Sequence, residues 1–396
     1  MEEKKKKKKS GGDFMITALV VLLSIFGLVM VYSASLYKSL SKYGNTYTFL
    51  IDDLKWMVLG GIVMTFFSFF DYKRIRKYGG LLLLAGMLML AAIYTPLGLT
   101  FNNATRWLDF KFFTVMPGEI IKFCLIIYMA AYYSKKPDRI RMNVRLEKQK
   151  DGGRALKGLE TVKPTVWMVF LIGACFMLIY KQPNLSTAGI VVLLMVGIMF
   201  IAGLPLAYLA VLGGAGAVFG VYFFTSPKYE YQLERVTNFW DPFQDALGSG
   251  YQVAQGLLAL GSGGIKGVGL GKSIQKTLYL PEPQNDFILA IIGEELGFVG
   301  IITLMVVYLM LIWRICRVAV RCRDYFGMLL ASGIALHLAL QVILNIAVVS
   351  ASFAPTGVVL PFVSLGGNAA LLFFAEMGIV INIAKHCDFG DPDGQL

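Results

Sequence analysis

Ten apolar runs separated by polar or basic segments set the rhythm of this 396-residue chain. They lie at Phe14–Ser35, Leu54–Phe70, Gly79–Leu97, Pro117–Tyr133, Val166–Ile179, Ala188–Ala202, Leu204–Phe224, Phe287–Trp313, Met328–Ser350 and Pro361–Ala384. A helix needs roughly 20 residues to cross the hydrocarbon core of a bilayer, and the shorter runs reach that length by extending into their flanks. The pattern predicts an all-α polytopic integral membrane protein with ten transmembrane helices. Residues 1–13 form a basic tail, 14–384 the membrane domain and 385–396 a second tail. Residues 225–285, between spans seven and eight, make a large outer loop, long enough to be functional or to carry short helices of its own.

Composition supports the class: 57% of residues are apolar, only 16% are charged, and the mean hydropathy is +0.65. Charge adds direction. Twenty-five of the 37 Lys and Arg fall on the side of the termini, six of them in Lys4–Lys9 and ten within Lys135–Lys163. By the positive-inside rule both termini are cytoplasmic. The net charge of +12 is then an orientation signal and an attraction to anionic lipid heads. Because the basic residues are scattered over several loops, it is not the footprint of a nucleic-acid binder. Two histidines, His337 in a span and His386 in the tail, cannot build a His-rich metal site, and His337 reads as a packed interhelical donor. No cysteine falls in an outer loop, so no disulfide framework is expected.

The polar residues that interrupt the pattern carry the candidate chemistry. Residues 281–300, PEPQNDFILAIIGEELGFVG, pass from a polar loop into an apolar helix holding Glu294 and Glu295. Acids inside a span are costly and are retained for a reason. Gly293 and Gly297 lie within about 20° of Asp286 in azimuth, so one face places an acid above a glycine groove open to another helix or a lipid chain. Asp286 reads equally as a helix cap or first-turn dipole partner. Glu294 and Glu295 read as interhelical partners, at most one of them facing any one cavity. In the second outer loop, Arg106 and Trp107 precede Pro117, Glu119 and Lys122. Glu119 and Lys122 share a helix face and suggest a polar cavity just below the outer surface. The outer turn at 181–187 is tight. The loop at 134–165, with Gly152 and Gly153 at its middle, reads as a solvated cytoplasmic face. The run GLGKS at Gly269–Ser273 is no phosphate-binding loop, because Lys266 stands where its first glycine belongs.

Six stretches together resemble the SEDS family (shape, elongation, division and sporulation) of bacterial cell-wall polymerases. They are Asn103–Leu108; Pro117, Gly118 and Glu119 with Lys122; Gln182–Leu185; Gly250, Tyr251 and Gln252 through Gln275 and Lys276; Asn285, Asp286 and Phe287 through Gly297; and Thr356 and Gly357 with Leu360, Pro361, Ser364, Gly366 and Gly367. The resemblance runs from the first span to the last, and is closer to the division and sporulation branch (FtsW and SpoVE) than to the elongation branch (RodA). The chain departs from the family pattern at Gly118, Asn184, Ser186, Asn285 and Asn368, where Ala, Asp, Gly, Thr and Ser are usual.

The resemblance implies a peptidoglycan glycosyltransferase that polymerises lipid II at the outer face of the bacterial cytoplasmic membrane, in cell division or sporulation. It matches the family's essential loop aspartate to Asp286, expected as the general base. Arg106, Lys122 and Lys276 are the expected cations for the lipid-linked pyrophosphate, Glu119 would orient Lys122, and Gln252 and Ser364 complete the expected substrate-binding set. No cofactor is required by these motifs, although a divalent cation held by Asp286 is an alternative to direct base catalysis. The implied partners are lipid II, a class B penicillin-binding protein transpeptidase, other divisome proteins and membrane lipids. Two other readings stay open: a lipid II flippase with the intramembrane acids as relays, and a scaffold that recruits the transpeptidase.

Overall fold

The computed structural model describes residues 13–101, 104–111, 114–135, 146–148, 154–156, 159–182, 184–204, isolated positions between 208 and 248, and 250–387. The predicted span at Leu204–Phe224 therefore lies largely outside the described residues, as do Asn102, Asn103, Pro183, Arg235, Asn238 and Trp240. The described helices are α1 (Phe14–Tyr43), α2 (Thr48–Phe69), α3 (Tyr72–Ala92), α4 (Pro117–Ser134), α5 (Leu159–Tyr180), α6 (Leu185–Ile201), α7 (Tyr251–Gly263), α8 (Ile288–Arg321), α9 (Tyr325–Val349) and α10 (Gly367–His386).

Five of them, α1, α3, α8, α9 and α10, have the length and apolar character to cross a membrane. That is half the expected number of spans. The shorter α6 and the Thr165–Tyr180 part of α5 are apolar, whereas α2 opens on Asp52, Asp53 and Lys55 and α4 on Glu119 and Lys122. Small residues set how closely the helices pack. A side chain at Gly60 of α2 would run into the ring of Phe374 on α10, and one at Gly378 of α10 would meet the Met64 carbonyl. The buried core joins all these helices through residues such as Leu23, Met30, Ile126, Leu194, Leu330 and Phe373.

The chain is not purely helical. Against the all-α expectation, the second outer loop forms a three-stranded antiparallel meander of β1 (Gly98–Phe101), β2 (Ala104–Asp109) and β3 (Thr114–Val115). Its register pairs Leu99 with Trp107 and Leu108 with Val115. The basic loop read as a solvated face holds a small antiparallel pair of strands, β4 (Leu146–Lys148) with β5 (Arg154–Leu156), and Gly152 and Gly153 lie outside the described residues. Alternating short runs of this kind are too brief to stand out beside the helical periodicity of the spans. The β1–β3 meander and the loops at 264–287 and 351–366 share one end of the bundle, joined by Asn368 Nδ2 to the Thr114 carbonyl at 3.0 Å and Leu365 N to the Gln284 carbonyl at 2.9 Å. This end is called outer below, after the orientation expected from the basic residues.

Candidate active site

The site is organised by a break in α8. Gly297 has φ 69° and ψ −170°, which divides α8 into a short first segment and a long second one. In an unbroken helix the amides of Phe298 and Val299 would donate to the carbonyls of Glu294 and Glu295. Here the loop after α7 splices into the gap. Val268 N and Gly269 N donate to the Glu294 and Glu295 carbonyls at 2.9 and 3.0 Å, while Phe298 N and Val299 N donate to Gly264 and Ile265 at 2.9 and 3.2 Å. These four backbone groups are thereby satisfied, as irregular backbone at membrane depth requires. Only glycine serves at Gly297 and Gly267, both at positive φ, because a side chain on either would strike the other strand's backbone at 2.2–2.3 Å. The glycine groove predicted for another helix or a lipid is thus filled by the chain itself. Leu260 of α7 packs onto Gly293, and the 264–269 loop onto Gly297.

The same re-entrant loop encloses both buried acids, each 1% exposed. Glu294 accepts from Ser273 Oγ, from Ile274 N at 2.8 Å and from Gln275 N at 3.4 Å. Glu295 accepts from Ser33 Oγ of α1 at 2.7 Å and from Lys276 Nζ at 2.6 Å, and Lys276 Nζ also reaches Ser33 Oγ at 2.9 Å. Adjacent acids were expected to face different surroundings. They share one, because residues 273–276 wrap across the helix instead of meeting a single face. Lys276 is 2% exposed, and its ammonium is committed to this pair rather than turned to the mouth of the site.

Asp286 lies in the turn above α8. The helix's N-cap position is Phe287, with no side-chain cap, so the Asp286 carboxylate is not used to cap it. Asn345 of α9 donates to the Asp286 carbonyl at 2.8 Å and to the Val358 carbonyl at 2.7 Å, fixing the turn against two other segments. Glu282, in the left-handed region at φ 47°, pairs with Lys38 at the far end of α1 and accepts from Gln284 Nε2 at 2.9 Å and Asn285 Nδ2 at 3.1 Å. Burial pushes the Asp286 carboxyl up to about 6; its own backbone amide opposes this and the nearby Glu282 charge adds to it.

Lys122 is fully buried, 2.7 Å from Glu119 Oε2 and 3.5 Å from Gln341 Oε1 of α9. Gln341 belongs to a polar stripe on α9 with His337 and Asn345, spaced by four residues and therefore on one face. At its deeper end His337 Nδ1 lies 2.8 Å from Glu376 Oε1 of α10, and the imidazole stacks on Phe373. The stripe thus touches three places in turn: the intramembrane pair, the Lys122 pair and the Asp286 turn. Arg106 sits on β2. Gln252, in the first turn of α7, reaches the Pro281 carbonyl at 3.5 Å, next to the Asp286 loop. Ser364 closes its own turn, accepting from Leu360 N at 2.9 Å. Among the described residues no group of three or more His, Cys, Asp or Glu is arranged to hold a metal ion. Lys38, Glu282, Gln341 and Asn345 were not singled out from the sequence. The four-residue spacing of His337, Gln341 and Asn345 in an apolar span was a readable signal, whereas Lys38 and Glu282, 244 residues apart, offered none.

Fold and site together define a polytopic helical membrane protein with a re-entrant loop and an acid at its outer rim. The chain belongs to the FtsW/RodA/SpoVE family of cell cycle proteins, whose profile it matches over residues 13–388. It is 34% identical to stage V sporulation protein E of Bacillus subtilis (strain 168), over 94% of this chain and 97% of that one. It is also 34% identical to a probable peptidoglycan glycosyltransferase FtsW of Trichlorobacter lovleyi, over 94% and 93% respectively. Its fold is similar to a chain from a structure of a peptidoglycan synthase complex, described as coordinating polymerization and crosslinking, with TM-score 0.74, 23% identity and coverage of 96% and 100%. The rod shape determining protein RodA of Thermus thermophilus is similar at TM-score 0.67 and 23% identity, with coverage of 96% and 99%.

Proposed function

We propose that this chain is a peptidoglycan glycosyltransferase that polymerises lipid II at the outer end of the bundle, with Asp286 as general base. The observation that carries this reading is the place of Asp286: half-buried in the turn above α8, its carbonyl fixed by Asn345 and its carboxylate not spent as a helix cap, with burial raising the carboxyl to about 6. A carboxylate with that proton affinity is largely ionised at neutral pH and matched to taking a hydroxyl proton. In the step, an acceptor sugar hydroxyl attacks the donor's anomeric carbon. The new glycosidic C–O bond forms as the bond to the lipid-linked pyrophosphate breaks, with inversion, and the hydroxyl proton passes to Asp286. The pyrophosphate leaves with its charge met by cations. Arg106 and Lys122 are the residues proposed for that, with Glu119 and Gln341 orienting Lys122. Lys276, enclosed with Glu295, is proposed to hold the re-entrant loop in place. Gln252 and Ser364 shape the walls through the Pro281 and Leu360 turns. A divalent cation at Asp286 would act by polarising the same hydroxyl.

The family's division and sporulation members supply the proposed process. The similarity to a chain from a peptidoglycan synthase complex supports a transpeptidase partner, of the class B penicillin-binding type. A flippase reading draws on the intramembrane pairs Lys122–Glu119 and His337–Glu376. Polymerisation of lipid II by the purified protein, with and without a cognate transpeptidase, tests the proposal. Wild type should build glycan strands and Asp286→Ala should build none. Lipid II translocation without polymerisation by the wild type would replace it with the flippase reading.

A further inference from the structure

The basic residues at the inner ends of the helices fall into two groups by what they touch. Arg76 donates to the Ser134 carbonyl at the end of α4 at 3.1 Å, and Lys385 donates to the Ser68 carbonyl near the end of α2 at 2.9 Å while lying 4.3 Å over the Phe69 ring. These two cations serve helix C-termini, where positive charge is favourable. Lys73, Arg74 and Lys77 do nothing comparable. They are exposed, pair with no acid among the described residues, and occupy the first turns of α3, where the helix dipole disfavours them. Two acids lie near the start of α3, and both are engaged: the Asp71 side chain caps Lys73 N, and Asp324 caps Gly327 N of α9 and faces Tyr72.

These three cations line a cleft of about 490 Å³ with Phe70 and Tyr78. The cleft continues into an apolar track. Arg74, Lys77 and Tyr78, Leu81, Leu84 and Leu88 follow one another at helical spacing on the same face of α3, and the three leucines are 64%, 56% and 61% exposed. A cationic head above a leucine stripe has the shape of an amphiphile with an anionic head. Leu81, Leu84 and Leu88 lie on a helix able to cross a membrane and so face acyl chains directly below the cationic cleft, where a lipid, unlike a free phosphate, meets both at once. We infer that the start of α3 is a binding site for one anionic phospholipid, its headgroup phosphate among Lys73, Arg74 and Lys77 and an acyl chain along Leu81, Leu84 and Leu88. The site is independent of the polymerase chemistry proposed at the other end of the bundle.

Native mass spectrometry of the purified full-length protein, titrated with dioleoylphosphatidylglycerol or dioleoylphosphatidylcholine, tests it. Wild type should retain one phosphatidylglycerol in preference to phosphatidylcholine. Lys73→Gln/Arg74→Gln/Lys77→Gln should weaken that retention about a hundredfold, and Lys77→Gln alone about fivefold, as expected for cations facing an anionic lipid. The single substitution keeps the answer available should the triple variant fail to insert. Arg76→Gln should lower thermal stability and leave lipid retention unchanged. Equal retention of the two lipids, or full retention by the Lys77→Gln and triple variants, would overturn the assignment. Displacement of the lipid by millimolar inorganic phosphate would overturn it in favour of a soluble-phosphate site.

Discussion

Asp286 and the Glu294–Glu295 pair lie within ten residues of one another, and their surroundings differ. Glu294 and Glu295 are enclosed, and each oxygen charge is met by Lys276, serine hydroxyls or backbone amides. Asp286, in the turn above α8, is half-buried, anchored through its carbonyl to Asn345, and raised in proton affinity. The difference teaches that the cost of an acid in a membrane helix is offset in two ways. One is complete local neutralisation, which makes structure. The other is placement at the rim, which leaves a group able to gain and lose a proton.

The sharpest break of this comparison is at the rim. Asp286→Asn should reduce polymerisation by about 10²–10⁴, the usual range for loss of a positioned base, without loss of folded protein. Its thermal stability should be no lower than wild type at any pH. The sign follows from the direction of the shift: a folded-state value of about 6, against an ordinary 3.8, means that ionising Asp286 opposes folding as pH rises through that window. The variant, which cannot ionise, should therefore gain on wild type above pH 6, as differential scanning fluorimetry across pH would show. At the enclosed pair, Lys276→Met should cost about 3–5 kcal/mol by stranding the Glu295 charge. Adding Glu295→Gln should restore part of the loss. If Lys276→Met were as stable as wild type, the enclosed pair would not be the structural element described.

Gly297→Ala should destabilise by about 1–3 kcal/mol, since it forces a side chain into a left-handed residue pressed against the 264–269 loop. Protection from hydrogen exchange should fall first at Val268, Gly269, Phe298 and Val299. The smallest effect sharpens the rim. Glu282→Gln removes the negative charge that helps to raise Asp286, so the acid limb of the pH–rate profile should move down, by less than one pH unit. Lys38→Met, which leaves Glu282 uncompensated, should move it up. Movement in the same direction for both would remove Glu282 as a charge acting on Asp286.

Much of this difference was legible in the sequence. Apolar runs marked where nine of the described helices lie, with ends displaced by up to eight residues, but left the helix Tyr251–Gly263 inside the outer loop. What the sequence hid was produced by contacts between distant segments. Gly297 read as a packing groove because glycine spacing cannot distinguish a smooth helix from one that breaks. Only the pairing of Val268 and Gly269 with the Glu294 and Glu295 carbonyls reveals the splice. The same splice brings Lys276 down to Glu295, whereas its position in an outer loop pointed to the substrate. Ser33, 262 residues from Glu295, carried no sign of its role. Within the site, the Glu119–Lys122 pair was readable from its three-residue spacing, and its third partner, Gln341, was not.

The comparison of the two regions rests on which acid performs chemistry, and one measurement addresses that directly. Lipid II polymerisation should be assayed for wild type, Asp286→Asn and Glu294→Gln, each rate normalised to folded protein in the membrane. The expected result is loss of activity in Asp286→Asn and a near wild-type rate per folded molecule in Glu294→Gln, whose yield or stability alone should suffer. An active Asp286→Asn enzyme, or a well-folded but inactive Glu294→Gln enzyme, would contradict the assignment of chemistry to the rim and structure to the interior.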